Sequence, residues 1–198
     1  LDKTSLENCF RSVVLPLSSD FGNIHFWDVS KVENMSSMFH GATTFNQDIS
    51  NWNVIDVSNM SSMFREAAAF NRDISNWNVS NVTDMASMFQ DASAFHKDLS
   101  WNVSNVTNMT SMFQDATSFN GDLSWNVSNV TNMSAMFQGT TAFDKDLSWN
   151  VSSVTNMSSM FQGATAFNRD ISNWNVSNVT NMASMFQDAS AFHKDLSW

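Results

Sequence analysis

The chain has 198 residues, a formal net charge of −10 and only nine lysines and arginines. A nucleic-acid-binding protein needs clustered basic residues and a membrane-spanning helix needs about 20 apolar residues in a row, so we expect neither a nucleic-acid partner nor membrane insertion. Hydrophobic residues make up 42% of the chain, which is enough to build a core and excludes an intrinsically disordered polypeptide.

Residues 1–26 differ from the rest of the chain and are predicted to cap it. Thr4 and Glu7 fit a capping box, and apolar residues follow at helical spacing until Pro16 stops the pattern. We expect a short amphipathic helix that covers the open face of the first repeat, followed by a degenerate half-coil. The single cysteine, Cys9, lies in this segment and excludes a disulfide within the chain.

From residue 27 to residue 198 the sequence repeats a unit of 24 or 25 residues. Each of the eight tryptophans opens a copy, and all fourteen methionines fall in a Met-x-x-Met-Phe step. A fixed period of this length indicates a solenoid, in which each coil is completed only by its neighbours. We therefore predict one domain of about seven coils over residues 27–198.

Two local patterns predict the two sides of each coil. Between Met109 and Ala116 the apolar residues have the spacing of one face of a helix about two turns long. In residues 122–127 apolar and polar residues alternate, as in a strand with one buried face. The predicted fold class is therefore an α/β repeat with a parallel β-sheet on one face and short helical turns on the other.

Three copies carry one extra asparagine before the tryptophan, at Asn51, Asn76 and Asn173. An insertion within a strand would move every later side chain to the opposite face. Because the tryptophan column persists, the extra residue must form a bulge or lie in a turn.

The unit WNVSNVTNMxxMFxxAxxFNxDLS resembles the repeat of the BspA-like leucine-rich-repeat surface proteins, which is common in mycoplasma lipoproteins and also occurs in marine microbes and algae. The match covers residues 27–198, and the motif is specific. The resemblance implies a right-handed, leucine-rich-repeat-like solenoid that is secreted or attached to the cell surface and acts in adhesion or partner binding. No signal peptide or lipoprotein-type cysteine is visible near the start of this sequence.

One aspartate recurs in the same register of every unit. Carboxylates stacked about 4.8 Å apart would repel each other, so each needs a favourable partner. Either each aspartate accepts backbone amides in a turn and is aided by a cation next to it, or the column holds Ca²⁺, with Asp98, Asp122 and Asp146 as the ligands. The neighbouring cations are Arg72, Lys97, Lys145, Arg169 and Lys194. The candidate binding residues are this column and the serines that follow it: Asp48, Asp73, Asp98, Asp122, Asp146, Asp170, Asp195, Ser50, Ser75, Ser100 and Ser124.

Two other columns admit a structural and a functional interpretation. The tryptophans could form a stacking platform for sugars or bases, although the accompanying valines favour packing inside the stack. A ladder of threonines with asparagine and serine alongside is either an ice-binding face or a solvated corner whose hydroxyls cap the helical turns. The threonines of this ladder are Thr83, Thr107, Thr131, Thr155 and Thr180.

The sequence contains no catalytic constellation. His96 and His193 share a register but lie four coils apart, roughly 19 Å at strand spacing, which is too far for a shared metal or a proton relay. We therefore predict a non-enzymatic binding or structural module for a protein or glycan partner. A Ca²⁺-stabilised adhesin and an ice-binding protein are the alternatives, and exposed coil ends would permit end-to-end self-association.

Overall fold

The computed structural model describes residues 23–198, and these form a solenoid in which residues one repeat apart lie in register. The cap helix predicted within residues 1–26 falls outside the described residues. The end of the predicted half-coil is a 3₁₀ turn at Ile24–Phe26, and the side chain of Ile24 is buried against the core. No other helix and no strand of several residues occurs between residues 23 and 198, so no helix in that range could span a membrane.

Each pair of successive coils shares one parallel β-bridge. The residue that precedes the first methionine of one coil forms a β-bridge with the same residue of the next. The column of bridged residues is Asn34, Asn59, Asp84, Asn108, Asn132, Asn156 and Asn181.

The predicted strand at residues 122–127 is wrong. The amide of Asp122 donates to a side chain, Oδ1 of Asp98, at 2.8 Å. The amide of Trp125 donates to the carbonyl of Leu123, two residues earlier, at 2.9 Å. Because these amides are taken up by a carboxylate and by a tight local turn, they are not available for a parallel ladder.

The predicted helix at the methionine step is also wrong, because the step is a run of β-turns. The amides of Met109, Ser111 and Phe113 donate to carbonyls of the following coil at 2.8–3.0 Å. Between them, the amide of Met112 donates back to the carbonyl of Met109 at 3.3 Å. An α-helix would direct every amide to its own chain four residues earlier. The same residues are nevertheless buried, since consecutive turns bring the methionines and Phe113 to one side.

These turns require a left-handed backbone at two positions in each methionine step, four residues apart. Ser111 has a φ of 54° as the third residue of the turn from Met109 to Met112, the position where a type II turn needs a positive φ. The second position holds Asp115 in this coil and Gly139 in the next. Every methionine step repeats this pair.

Three aromatic columns fill the core. Neighbouring tryptophan rings such as Trp101 and Trp125 are nearly parallel, with centroids 6.4 Å apart. Phe113 and Phe119 stack at 4.0 Å within one coil, and each also stacks on its counterparts in the coils before and after. The predicted burial of the tryptophan column is confirmed from Trp52 to Trp174, where the rings are 3–5% exposed.

The extra asparagine lies in a turn, one of the two positions that the sequence allows. The amide of Trp77 donates to the carbonyl of Ile74 at 3.1 Å, which closes a four-residue turn through Asn76. We call a coil with this asparagine a long coil and one without it a short coil. Isoleucine precedes the turn in the long coils (Ile49, Ile74, Ile171) and leucine takes its place in the short coils (Leu99, Leu123, Leu147, Leu196).

Candidate functional site: a groove on the aspartate edge

The aspartate column and its serines form one outer edge of the solenoid, which we call the Asp edge. In the long coils the carboxylate holds its own turn. Oδ1 of Asp48 accepts the amide of Ser50 at 3.0 Å and its hydroxyl at 2.7 Å, and Asp73 and Asp170 accept the equivalent serine amides. These hydrogen bonds, from the serine amide first and the hydroxyl second, lower the pKa of Asp48, Asp73 and Asp170.

In the short coils the same carboxylates have different partners. Asp98 accepts the amide of Asp122 from the next coil. Oδ1 of Asp122 lies 2.9 Å from Nζ of Lys145, and Oδ1 of Asp146 lies 3.7 Å from Nη1 of Arg169. The side chains of Asp122 and Asp146 are 64% and 80% exposed, so these carboxylates face solvent and are not bound to their own turns.

A groove of about 750 Å³ lies across the short coils of the Asp edge. The edges of Trp125 and Trp149 contribute to its wall. The polar residues that line it include two aspartates of the column, two serines and two cations: Asp122, Asp146, Ser124, Ser148, Lys145 and Arg169.

Carboxylates of the protein already hold both cations of the groove. Arg169 forms a two-pronged ion pair with Asp144, with Nε–Oδ1 at 2.9 Å and Nη2–Oδ2 at 2.8 Å, and this pairing raises the pKa of Arg169. The hydrogen bond and ion pair with Asp122 raise the pKa of Lys145. Asp146 is therefore the carboxylate of the groove with the weakest partner.

Among the predicted site residues, the structure brings Asp122, Ser124 and Asp146 together in the groove. Asp98 precedes it, and the other candidates lie on coils before or after. The sequence analysis named Lys145 and Arg169 only as cations next to the aspartate column, and it missed Asp144. A signal was present, because Asp144 stands where the other coils have asparagine or histidine, and Asp144 to Asp146 is the one Asp-Lys-Asp triplet in the sequence.

The described residues give little support to a metal site. Between residues 23 and 198, no group of three or more His, Cys, Asp or Glu side chains is arranged to hold a metal ion. Asp98, Asp122 and Asp146 contact an amide, a lysine and an arginine instead. The Ca²⁺ alternative stays a prediction. Two of its three proposed ligands already lie next to a cation of the protein, Asp122 next to Lys145 and Asp146 next to Arg169.

The threonine ladder has a different role from the helix capping that the sequence suggested. The amide and the hydroxyl of Thr107 both donate to the carbonyl of Thr83, at 2.9 and 3.3 Å. Each later threonine repeats this pair of bonds with the threonine before it. The hydroxyls therefore join coil to coil, and the exposed threonine side chains form a regular row along the solenoid.

Two consecutive stretches, residues 4–124 and 123–198, match the family described as "Mycoplasma protein of unknown function, DUF285". No curated protein matches the chain.

A leucine-rich repeat protein from Eubacterium ventriosum, solved by crystallography at 2.50 Å resolution, has a similar fold with a TM-score of 0.52. The similarity covers 72% of this chain and 43% of that protein, at 11% sequence identity, so it concerns the fold alone. It supports a solenoid of the leucine-rich-repeat type and, with the family match, confirms the resemblance found in the repeat unit. The chain belongs to the DUF285 family of mycoplasma-type repeat proteins.

Proposed function

We propose that this protein is a non-enzymatic binding module that presents its Asp edge to a protein or glycan partner outside the cell or at its surface. The observation that carries the proposal is the groove of the short coils, where Asp122 and Asp146 point carboxylates to solvent. Sites for other molecules are concave and combine a shaped wall with a few fixed polar groups. The family resemblance supports the extracellular location.

The scaffold behind the groove is suited to binding because it is rigid. Trp125 stacks on the tryptophans of the coils before and after, at 6.4 and 6.3 Å. Its indole Nε1 donates to the carbonyl of Leu99 at 2.7 Å. Side chains mounted on such a stack change little on binding, which reduces the entropy lost when a partner docks.

Arrays of immobilised peptides and glycans test the proposal. We expect the purified chain to bind a subset of one array, and the double variant Asp122→Asn/Asp146→Asn to lose that binding while its melting temperature stays within a few degrees. Binding that is equal for both chains would place the site elsewhere. No binding to either array would overturn the proposal.

The calcium alternative is separable in the same preparation. A ligand that binds only the folded state raises the melting temperature, and the rise grows with the ratio of the ligand concentration to its Kd. We expect the midpoint to be the same with EDTA and with millimolar CaCl₂. A rise that Asp122→Asn/Asp146→Asn removes would restore the calcium-stabilised adhesin as the preferred function.

Ice binding is the second candidate function, because the threonine ladder is an exposed, regular row with every hydroxyl oriented alike. Thermal hysteresis measured on the chain and on Thr131→Tyr tests it. Hysteresis that the tyrosine removes would establish this function, and no hysteresis in either chain would exclude it.

A further inference from the structure

We propose that the groove of the short coils binds an extended, lysine- or arginine-bearing protein segment, and that coil length sets the position of this groove. The inference deepens the proposed function and rests on it, since it assigns a location and a partner chemistry to the binding edge. Three short coils in succession, at Leu99, Leu123 and Leu147, lie between the long coils at Asn76 and Asn173.

Coil length affects the edge through the extra asparagine, as the long coil at Asn76 shows. In the long coil at Asn76 the side-chain amide donates to the carbonyl of Ser50 in the preceding coil at 3.0 Å. The asparagine therefore lies across the junction between two coils. The short coils through Ser124 and Ser148 lack this residue, and the groove lies there. One residue thus separates the edge that Asn76 covers from the open edge of the groove.

The charges of the groove favour a cationic occupant. Three carboxylates, those of Asp122, Asp144 and Asp146, face two cations in the groove. Both cations are engaged at 2.8–2.9 Å by Asp122 and Asp144, whereas Asp146 is 80% exposed and lies 3.7 Å from Arg169. The surplus charge is negative. The net charge of −10 on the whole chain would also steer a basic partner toward it.

The aromatic residues disfavour a sugar as the occupant. An aromatic platform for a sugar ring has to offer the flat face of its own ring. The faces of Trp125 and Trp149 are covered by the neighbouring tryptophans, and each ring is 5% exposed. Ser124 and Ser148 line the same groove and supply hydroxyls suited to the amides and carbonyls of a peptide backbone. The site therefore fits a basic peptide better than a glycan.

The first test measures fluorescence anisotropy of a labelled 12-residue peptide of alternating lysine and serine, with the glutamate-serine peptide as the charge control. Asp146→Asn removes the exposed carboxylate of the groove. Asp73→Asn removes the same charge from a long coil of the same edge. Asp84→Asn is the matched control away from the edge, because most other coils carry asparagine at that position.

We expect Asp146→Asn to weaken binding of the lysine peptide about tenfold, and the other two variants to change it less than twofold. Equal weakening by Asp146→Asn and Asp73→Asn would contradict the groove as the binding site, while the Asp edge would remain the binding face. Equal weakening of peptide binding by all three variants would show that binding depends only on the net charge of the chain, and would overturn the groove as the site. Failure of the lysine peptide alone, with array ligands still binding, would overturn the partner chemistry and not the proposed function.

The second test changes coil length without removing any charge. Leu123→Ile with one asparagine inserted between Ser124 and Trp125 converts a short coil into the Ile-Ser-Asn-Trp sequence of the long coils. We expect at least a tenfold loss of peptide affinity, with the melting temperature within a few degrees of the parent because the chain already accommodates this turn three times. A folded variant that binds as well as the parent would overturn the role of coil length.

Discussion

Left-handed residues carry much of the local strain in this chain. Between residues 23 and 198, eleven non-glycine residues have a positive φ, between 54° and 60°. An L-residue in this conformation costs roughly 1–2 kcal/mol, and only glycine adopts it without a steric penalty. Hydrogen bonds to the next coil offset this cost, because each such turn directs the surrounding amides toward carbonyls of that coil. The amide of Ser111, for example, donates to the carbonyl of Ser134 at 2.8 Å.

Ala135 tests this strain directly, because its φ is 55° and its side chain offers no hydrogen bond. Ala135→Gly should raise the free energy of unfolding by about 0.5–1 kcal/mol, the relief of strain less the added entropy of the unfolded chain. The matched control is Ser134→Gly, at a neighbouring position without a positive φ, which should lower it by about 0.4–1 kcal/mol. Urea denaturation measures both. Destabilisation by Ala135→Gly would show that the turn is unstrained.

The second left-handed position brings acidic side chains together in successive coils. Burial and the neighbouring carboxylates of Asp115 and Glu66 raise the pKa of Asp91, against a smaller opposing effect of Arg65. The folded state thus binds the Asp91 proton more tightly than the unfolded chain does. The resulting stability is fully present below the ordinary pKa of 3.8 and is lost as the pH rises through the folded value.

Asp91→Asn should therefore raise the melting temperature at pH 7, and the gain should shrink as the pH falls toward 3.8. Asparagine also tolerates the left-handed conformation, so part of the gain is independent of pH. Asp188→Asn is the control for that part, since the φ of Asp188 is 60° against 59° at Asp91 but Asp188 follows Gly163 in its column. A gain at Asp91 that is constant between pH 7 and pH 3 would contradict the acidic repulsion.

At the scale of the coil, the structure keeps the periodicity of the sequence but changes the elements. The spacing from Met109 to Ala116 correctly predicts which side chains are buried. It cannot distinguish a short helix from consecutive turns, because both return to the same side every three or four residues. What decides between them is where the amides bond, and those partners lie in another coil. The candidate groove was predictable only in part, because some of its contacts also join different coils. Asp122 and Ser124 belong to the consensus of the repeat, whereas the pair of Asp144 and Arg169 forms only when two coils stack.

Deletion of Asn76 tests whether coil length varies only in the turn. The deletion should convert a long coil into a short one and lower the melting temperature by about 5 °C or less, the equivalent of one or two hydrogen bonds. Deletion of Asn81 removes one residue from the next coil, away from the turn, together with a 2.8 Å bond to the carbonyl of Ile55. This deletion should lower the melting temperature by far more than 5 °C, because every later residue of that coil shifts its register. Similar losses would contradict the distinction between the two sites.

At the scale of the whole molecule, stability comes from stacking between neighbours. The buried residues form one continuous core of tryptophan, phenylalanine and methionine columns from coil to coil. Backbone amides, threonine hydroxyls and indole nitrogens all bond between adjacent coils. In such a chain each coil contributes its own stability and an interface with each neighbour. The repeat period made this architecture predictable from the sequence, since stacking the copies in register buries the tryptophans from Trp52 to Trp174 in the same way.

Distances between pairs of spin labels test most directly whether successive coils stack in register. In a Cys9→Ser background, one label replaces Ser58 and the second replaces Thr131, Thr155 or Thr180, members of one hydrogen-bonded column. At about 4.8 Å per coil, pulsed electron paramagnetic resonance should give distances near 14, 19 and 24 Å, rising by an equal step for each added coil. Distances that do not rise with the number of coils between the labels would contradict the stacked solenoid.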